Sequence, residues 1–336
     1  VTAGRAATGW WRALLLAGLL VALAGCAGDG DGDDGGAPSQ AASPTPPASP
    51  VALRWTPTVG DRWQYQLQTN PDPRFAATGG VDVDGVCVVP VSGGAPVCPQ
   101  VWDVDLFDVS GHPNSAAVTA IHRRGGRAVC YLDVGALEKG RPDEGTIRAW
   151  AAEHPGAHLI GGPVAGYEES ENWLNIGDSG AREFLVGVMA ARMAECAAAG
   201  FDGVEGDLVE AYQHPRAETG SAIGADDQLV YNRSLADAAH RYGLAAGLKN
   251  DAQQAPELGE VFDFSVDESC VRFDECQPLA DGFLNRGKPV FHVEYLTEWQ
   301  TGDPSVPCRA ASALGFSTIV KQSSPTLADL PYHPCR

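Results

Sequence analysis

From Trp55 onward the chain alternates short apolar runs with segments of helical periodicity, and this alternation limits the folds open to it more than any other feature. The apolar runs lie at 63–67, 101–107, 127–133, 173–176, 202–207, 244–250, 262–267, 289–294 and 318–321. Between them, Leu185, Val188, Met189, Met193 and Cys196 recur at helical spacing and stop at Gly200, while 233–241 and 277–286 behave similarly. Repeated strand and helix alternation predicts a parallel sheet with helices outside it. Eight or nine such units over 51–336 suit a single α/β domain, a (β/α)8 TIM barrel, for which ~250 residues is typical. A doubly wound open sheet is the alternative.

A barrel places its chemistry at the carboxyl ends of its strands, and polar residues gather at those ends here. The endings are Asp103, Asp105 and Asp108; Tyr131 and Asp133; Asp207; Lys249, Asn250 and Asp251; Asp267 and Glu268; and Glu294 with Tyr295. The densest is GFDGVEGDLVEAY at 200–212, with Asp202, Glu205, Asp207 and Glu210. Charged groups ending apolar strands are costly unless paired or used. Ion pairs lining the mouth would call for as many cations, yet Lys249 stands nearly alone, so a cationic or polyhydroxylated ligand is expected.

GFDGVEGDLVEAY, then GLKND with Gln253 and Gln254, then FDFSVDESC with Cys276, then GKPVFHVEY resemble the successive motifs of glycoside hydrolase family 114, the endo-α-1,4-polygalactosaminidases. WDVDLFD at 102–108 and CYLDVG at 130–135 fit the earlier part of the same pattern, so the resemblance covers roughly 55–321. It implies a (β/α)8 barrel and hydrolysis of α-1,4-linked galactosamine polymers. The chain departs from the pattern at Gly206 where Pro is expected, at Leu208 where Asn is usual, and at Asp267 where Asn is common.

Glycoside hydrolysis uses one carboxylic acid to protonate the leaving oxygen and a second carboxylate as nucleophile or activator of water. Asp207 and Glu268, each ending its own strand, are the expected pair. The resemblance implies Asp207 as nucleophile or stabiliser and Glu268 as acid/base, with the exchanged assignment open. Glu205 lies two residues from Asp207 and so points the same way on a strand, while Asp202 reads as structural. Asp105, Asp133, Asn250 and Glu294 are expected to bind substrate, and Lys249 to bind a hydroxyl or hold a carboxylate ionised. Tyr131, Trp173 and Tyr295 are candidate stacking surfaces.

At the amino terminus Arg5 and Arg12 flank and precede an apolar run over 13–23 that is too short to span a bilayer. The ending Leu23-Ala24-Gly25-Cys26 resembles a bacterial lipobox, so 1–25 is expected to be a lipoprotein signal peptide and Cys26 the lipidated residue. Residues 26–50, rich in Gly, Asp, Ala, Ser and Pro, read as a disordered tether holding the folded part above the outer face of the cell membrane. Of nine cysteines, eight remain after Cys26, an even set for an oxidising compartment. The expected pairs are Cys87 with Cys98, Cys270 with Cys276 and Cys308 with Cys335, leaving Cys130 and Cys196.

The formal net charge of −20 grows more negative once Arg5 and Arg12 are removed. Such a field repels nucleic acid and suits a cationic amino-sugar polysaccharide, which below its amine pKa would be drawn to an acidic cleft. No nucleic-acid partner, cofactor or metal is expected: ligand-spaced Cys or His pairs are lacking, and the loop-like 282–288 has Pro289 where a phosphate-binding loop needs Ser or Thr. His292 on a strand reads as a satisfied core residue. The chain is expected to act as a monomer. A polysaccharide-binding lipoprotein without turnover, supported by Leu208 and Asp267, and a hydrolase of another α-linked sugar are the alternatives.

Overall fold

The computed structural model describes residues 54–323 and 327–336, so the expected signal peptide, Cys26 and the tether at 26–50 lie outside the described residues. Twelve strands are seen among the described residues: β1 Trp63–Tyr65, β2 Val101–Asp105, β3 Arg127–Asp133, β4 Ala136–Glu138, β5 Ile160–Pro163, β6 Glu171–Leu174, β7 Gly203–Asp207, β8 Ala245–Lys249, β9 Phe264–Glu268, β10 Val290–Tyr295, β11 Ser317–Lys321 and β12 His333–Pro334. The α-helices are α1 Ser115–Arg123, α2 Glu144–Glu153, α3 Ser179–Ala199, α4 Arg216–Thr219, α5 Ala225–Arg241, α6 Ala255–Leu258, α7 Cys270–Phe273, α8 Cys276–Gly282 and α9 Ser305–Ala311.

The main sheet runs β1-β2-β3-β7-β8-β9-β10-β11-β12, and every pairing from β1 to β11 is parallel. Eight parallel strands thus follow one another in chain order, with β12 added antiparallel to β11. Side-chain hydrogen bonds join the first of the eight to the last: Trp63 Nε1 donates to the Ser317 carbonyl at 2.7 Å, and Lys321 Nζ to Gln64 Oε1 at 3.1 Å. The result is a curled sheet of the (β/α)8 barrel type. The strand runs read from sequence agree with these elements to within a few residues, with one exception. The run at 173–176 belongs to β6, which lies with β4 and β5 in a separate antiparallel sheet inserted after β3. The helix expected over 277–286 also divides, α8 ending at Gly282 and a 3-10 turn spanning Leu284–Arg286.

The lower end of the barrel is filled by rings. Trp63 packs on Phe291 at 5.5 Å and Phe291 on Phe264 at 5.6 Å, all three buried. Gly247 makes this possible, since a Cβ there would lie 2.3 Å from the Phe264 ring. Apolar filling at the strand starts leaves the strand ends for polar groups. Outside the sheet, α3 begins at Asp178, whose carboxylate accepts from Ala181 N, and ends at Gly200 with φ of 94°. Its Arg192 is buried and forks onto Asp143, with a third bond to the Asp133 carbonyl at 2.7 Å. Arg192 therefore fixes the end of β3 from behind.

Four disulfides are present: the three expected pairs, together with Cys130–Cys196, which takes up the remaining two cysteines and ties β3 to α3. This last bridge closes a loop of 66 residues. On loop-closure entropy, Cys130→Ala with Cys196→Ala should cost about 4 kcal/mol. A chemical denaturation midpoint that is unchanged in the double variant would show that the bridge contributes nothing.

Candidate active site

At the carboxyl ends of the strands the side chains converge on one nitrogen. Lys249 Nζ, at the end of β8, lies 3.0 Å from Asp207 Oδ1 on β7, 3.0 Å from Glu268 Oε2 on β9, and 3.7 Å from Glu205 Oε1. Its side chain is 2% exposed, whereas Asp207 and Glu268 are 17% and 19% exposed and face the opening. A buried ammonium is tolerable only when paired, and burial alone would lower its pKa. The fields of Asp207, Glu268 and Glu205 win, and the Lys249 pKa stands well above its ordinary value.

Each carboxylate is held by further donors. Asp207 accepts from the Tyr131 hydroxyl at 2.8 Å and from Leu208 N at 2.8 Å. Burial would push Asp207 up, but Lys249 and these hydrogen bonds bring its pKa below the ordinary value. Glu268 accepts from the Tyr295 hydroxyl, and its backbone N–H donates to Asn250 Oδ1 at 3.0 Å. Beneath lies a second layer. Glu205 accepts from the Tyr65 hydroxyl at 3.0 Å and is fully buried beside Asp103. Burial pushes Glu205 up to about 7, and burial together with Glu205 drives Asp103 well above the carboxylate range. The oxygens Asp103 Oδ1, Asp103 Oδ2 and Glu205 Oε2 have no donor if both groups are ionised. A proton held on Asp103 and shared with Glu205 pairs one oxygen of each.

The backbone turns sharply as it leaves these strands. Leu208, Asn250, Asp251 and Ser269 all have positive φ, at 58°, 49°, 43° and 67°. Asn and Asp visit this region at little cost, whereas for Leu it is unfavourable by roughly 1–2 kcal/mol. The departure at 208 is thus a strained turn that keeps Leu208 N on Asp207. Gly135 allows the same approach from the other side: a Cβ there would lie 1.8 Å from the Leu208 carbonyl oxygen. Val134 and Gly135 both donate to the Asp207 carbonyl at 3.2 Å.

Above Lys249 opens a cleft of about 400 Å³, whose walls include Tyr65, Asp105, Tyr131, Glu138, Arg141, Tyr167, Glu171, Asp207, Leu208, Glu210, Lys249, Asn250 and Glu268. Of the residues singled out from sequence, Asp105, Tyr131, Asp207, Lys249, Asn250 and Glu268 line it. Four others do not. Glu294 is buried and accepts from His292 Nε2 at 2.8 Å, Trp299 Nε1 at 2.5 Å and Val271 N at 3.0 Å. Strand alternation explains this, because Tyr295 takes the face that meets Glu268 and Glu294 must take the other. Asp133 is 2% exposed and accepts from Gly135 N and Ala136 N, closing the turn into β4. Trp173 is 2% exposed among Ala136, Val164 and Ala211, so no ring face is free for a sugar. Glu205 acts from below the cleft, and Tyr295, 1% exposed, reaches it through its hydroxyl. Asp267, also 2% exposed, accepts from Cys270 N behind the strand and does not face the cleft.

Sequence reasoning missed other residues. Arg141, from the loop after β4, forks onto Asp105 at 2.7 and 2.9 Å and bonds Glu138, so Lys249 is not alone at the mouth. Glu138, Tyr167 and Glu171 come from the inserted sheet, which no barrel template would have assigned to the mouth. Glu210 was visible as an acid three residues past Asp207 but carried no further signal.

Comparison with known proteins bears on the same cleft. A search of curated sequences finds no match. Among solved structures, Aspergillus fumigatus Ega3 in complex with galactosamine superposes with a TM-score of 0.64 at 25% identity, covering 84% of this chain and 98% of that one. The glycoside hydrolase domain of PelA from Pseudomonas aeruginosa superposes with a TM-score of 0.52 at 14% identity, covering 81% and 98%, which speaks to fold alone. Residues 44–330 match the profile of glycoside-hydrolase family GH114, so the chain belongs to that family and is a glycosidase.

Proposed function

We propose that this glycosidase cleaves internal α-1,4 linkages in a galactosamine-containing exopolysaccharide, with Asp207 and Glu268 as its catalytic carboxylates. The observation that carries the reading is the pair itself: two carboxylates from separate strands, each 3.0 Å from one buried ammonium, at the floor of an open acidic cleft. Family membership supplies the reaction class, and Ega3, the neighbour at 25% identity, was solved with galactosamine.

Asp207 is the nucleophile in this reading. It takes donors from Lys249, Tyr131 and Leu208, which hold its pKa below the ordinary carboxylate value and favour the anion a nucleophile must be. It attacks the anomeric carbon while Glu268, aligned by the Tyr295 hydroxyl, delivers a proton to the departing oxygen. Water then hydrolyses the glycosyl-enzyme, with Glu268 as base. The oxygens facing Lys249 can be no further apart than twice 3.0 Å. That limit suits the ~5 to 5.5 Å of retaining enzymes better than the ~6.5 to 9.5 Å of inverting ones.

An internal mode of attack suits the shape of the mouth. A second groove of about 400 Å³ shares Leu67, Asp105 and Arg141 with the catalytic cleft and runs on past Phe107, Val109 and Pro142. A polymer can therefore lie across the site without ending there. The lipobox-like ending at Cys26 and four disulfides fit a lipid-anchored protein on the outer face of the membrane, acting as a monomer. Binding without turnover loses its support at Asp267, which faces away from the cleft.

Asp207→Asn and Glu268→Gln should each lower kcat on α-1,4-galactosamine polymer by about 10²- to 10⁴-fold while leaving the protein folded. New reducing ends released at the wild-type rate by either variant would remove that residue from the mechanism. Proton NMR of the first product should show the α anomer; a β product would overturn retention. Lys249 supplies a third check. Without its charge, burial raises Asp207, and since the active form is the anion, the acid limb of kcat/KM in Lys249→Met should move to higher pH. An acid limb that stays in place would mean that Lys249 does not hold Asp207 ionised.

A further inference from the structure

Among the acids of the cleft wall, Glu210 is the one with a buried carboxylate oxygen that lacks any partner among the described residues. Its carboxylate has no hydrogen-bond or ion-pair partner among the described residues, and its Oε2 is cut off from water. Four other acids of the wall are engaged: Asp105 and Glu138 by Arg141, Asp207 and Glu268 by Lys249. Burial first, and the Asp207 charge second, push the Glu210 pKa up to about 8, and Lys249, which acts on it in the opposite sense, is already shared by three carboxylates.

The unpaired, enclosed oxygen costs about 1–3 kcal/mol while the carboxylate is ionised, which favours the protonated group until a cation meets the rest of the carboxylate from the cleft it lines. A group that would do so must be a donor, must be cationic to offset Asp207 as well, and must come from the cleft. Water satisfies the first condition only. A primary ammonium on a sugar ring satisfies all three, and it gains a charge-assisted hydrogen bond on arrival. A neutral hydroxyl or an acetamide in the same place would supply no positive charge to favour the ionised form of Glu210.

We infer that Glu210 is the specificity-determining residue of this site, the acceptor for the free ammonium of the galactosamine unit bound over Asp207. The inference rests on the catalytic reading above and deepens it: selectivity for a free amine over its acetylated form resides in Glu210, outside the pair that breaks the bond. Glu171, a second acid of the wall, is less suited. Its pKa is pushed up to about 7 by burial, Glu138 and Asp207, but Arg141 acts on it in the opposite sense.

The test compares wild type, Glu210→Gln and Glu210→Asp on α-1,4-galactosamine polymer and on the same polymer after chemical N-acetylation. Wild type should prefer the free-amine polymer. Glu210→Gln should raise KM for that polymer about tenfold or more while changing kcat little, and should leave activity on the acetylated polymer near wild type. Glu210→Asp, which keeps the charge, should recover part of the preference. An unchanged preference in Glu210→Gln would overturn the inference. So would an equal collapse of kcat on both polymers, since it would make Glu210 part of the bond-breaking machinery. Calorimetric titration of wild type and Glu210→Asp with galactosamine and with galactose, which differ at the amine, gives a second readout should the Gln variant fail to fold. Equal discrimination by the two proteins would count against Glu210. Wild type that cleaves neither polymer would instead sink the catalytic reading on which the inference stands.

Discussion

The buried ammonium of Lys249 is the group on which the rest of the site depends. At 3.0 Å from two carboxylates and 3.7 Å from a third, it interacts with each by several kcal/mol even at an effective dielectric near 20. Without it, Asp207, Glu268, Glu205 and Asp103 could not share so small a volume as anions. One cation nevertheless cannot neutralise them all. With a proton shared between Asp103 and Glu205, the site retains negative charge, and the exposed part of that charge, on Asp207, faces the opening. The lower layer is balanced by a proton and the upper layer is left for a ligand.

The barrel makes this division by alternation and depth. Inward positions along a strand recur every second residue, so the start, middle and end of one strand serve different layers. On β1, Trp63 fills the lower core while Tyr65 bonds Glu205; on β7, Glu205 lies below and Asp207 above. Rings at the bottom exclude water from the middle layer, and that exclusion raises Glu205 and Asp103. The turns that follow carry the strain. Positive φ at Leu208, Asn250, Asp251 and Ser269 bends the chain back at once, so that Leu208 N donates to the Asp207 carboxylate and the Asn250 side chain accepts from the Glu268 backbone N–H. Strain collected at strand ends is a common feature of functional sites.

How far the sequence was legible follows from the same geometry. Strand runs and the long helix over 185–196 could be read because each is a local pattern of apolar residues, and Asp207, Glu268 and Lys249 stood out because they interrupt such patterns at their ends. Glu294 was misread because a strand end does not declare which face a residue takes; its parity is set by Tyr295 meeting Glu268 across the barrel. Asp133 failed for another reason, since an acid before a Gly turn can serve backbone N–H groups as easily as a ligand. Trp173 was placed in the barrel on its apolar neighbours, though the short antiparallel sheet to which it belongs depends on pairing with residues 136 and 160–163. Arg141, Glu138 and Glu171 were invisible because they reach the cleft from that insertion.

The net charge of the chain does less of the recognition than its size suggests. Exposed charges more than about 8 to 10 Å away are screened at ordinary salt, so most of the −20 can speed encounter but cannot sort one ring substituent from another. Sorting requires charge that is buried, close and unpaired. Arg141 pairs with both Asp105 and Glu138 at one side of the mouth and offsets part of their charge, which weakens the hold of that wall on an ammonium. The floor around Asp207 keeps its charge, and Glu210 in the wall is ready to ionise when a cation reaches it. A cationic polymer is therefore drawn in by the whole surface and held at only a few positions, so successive units can pass the site without each being trapped.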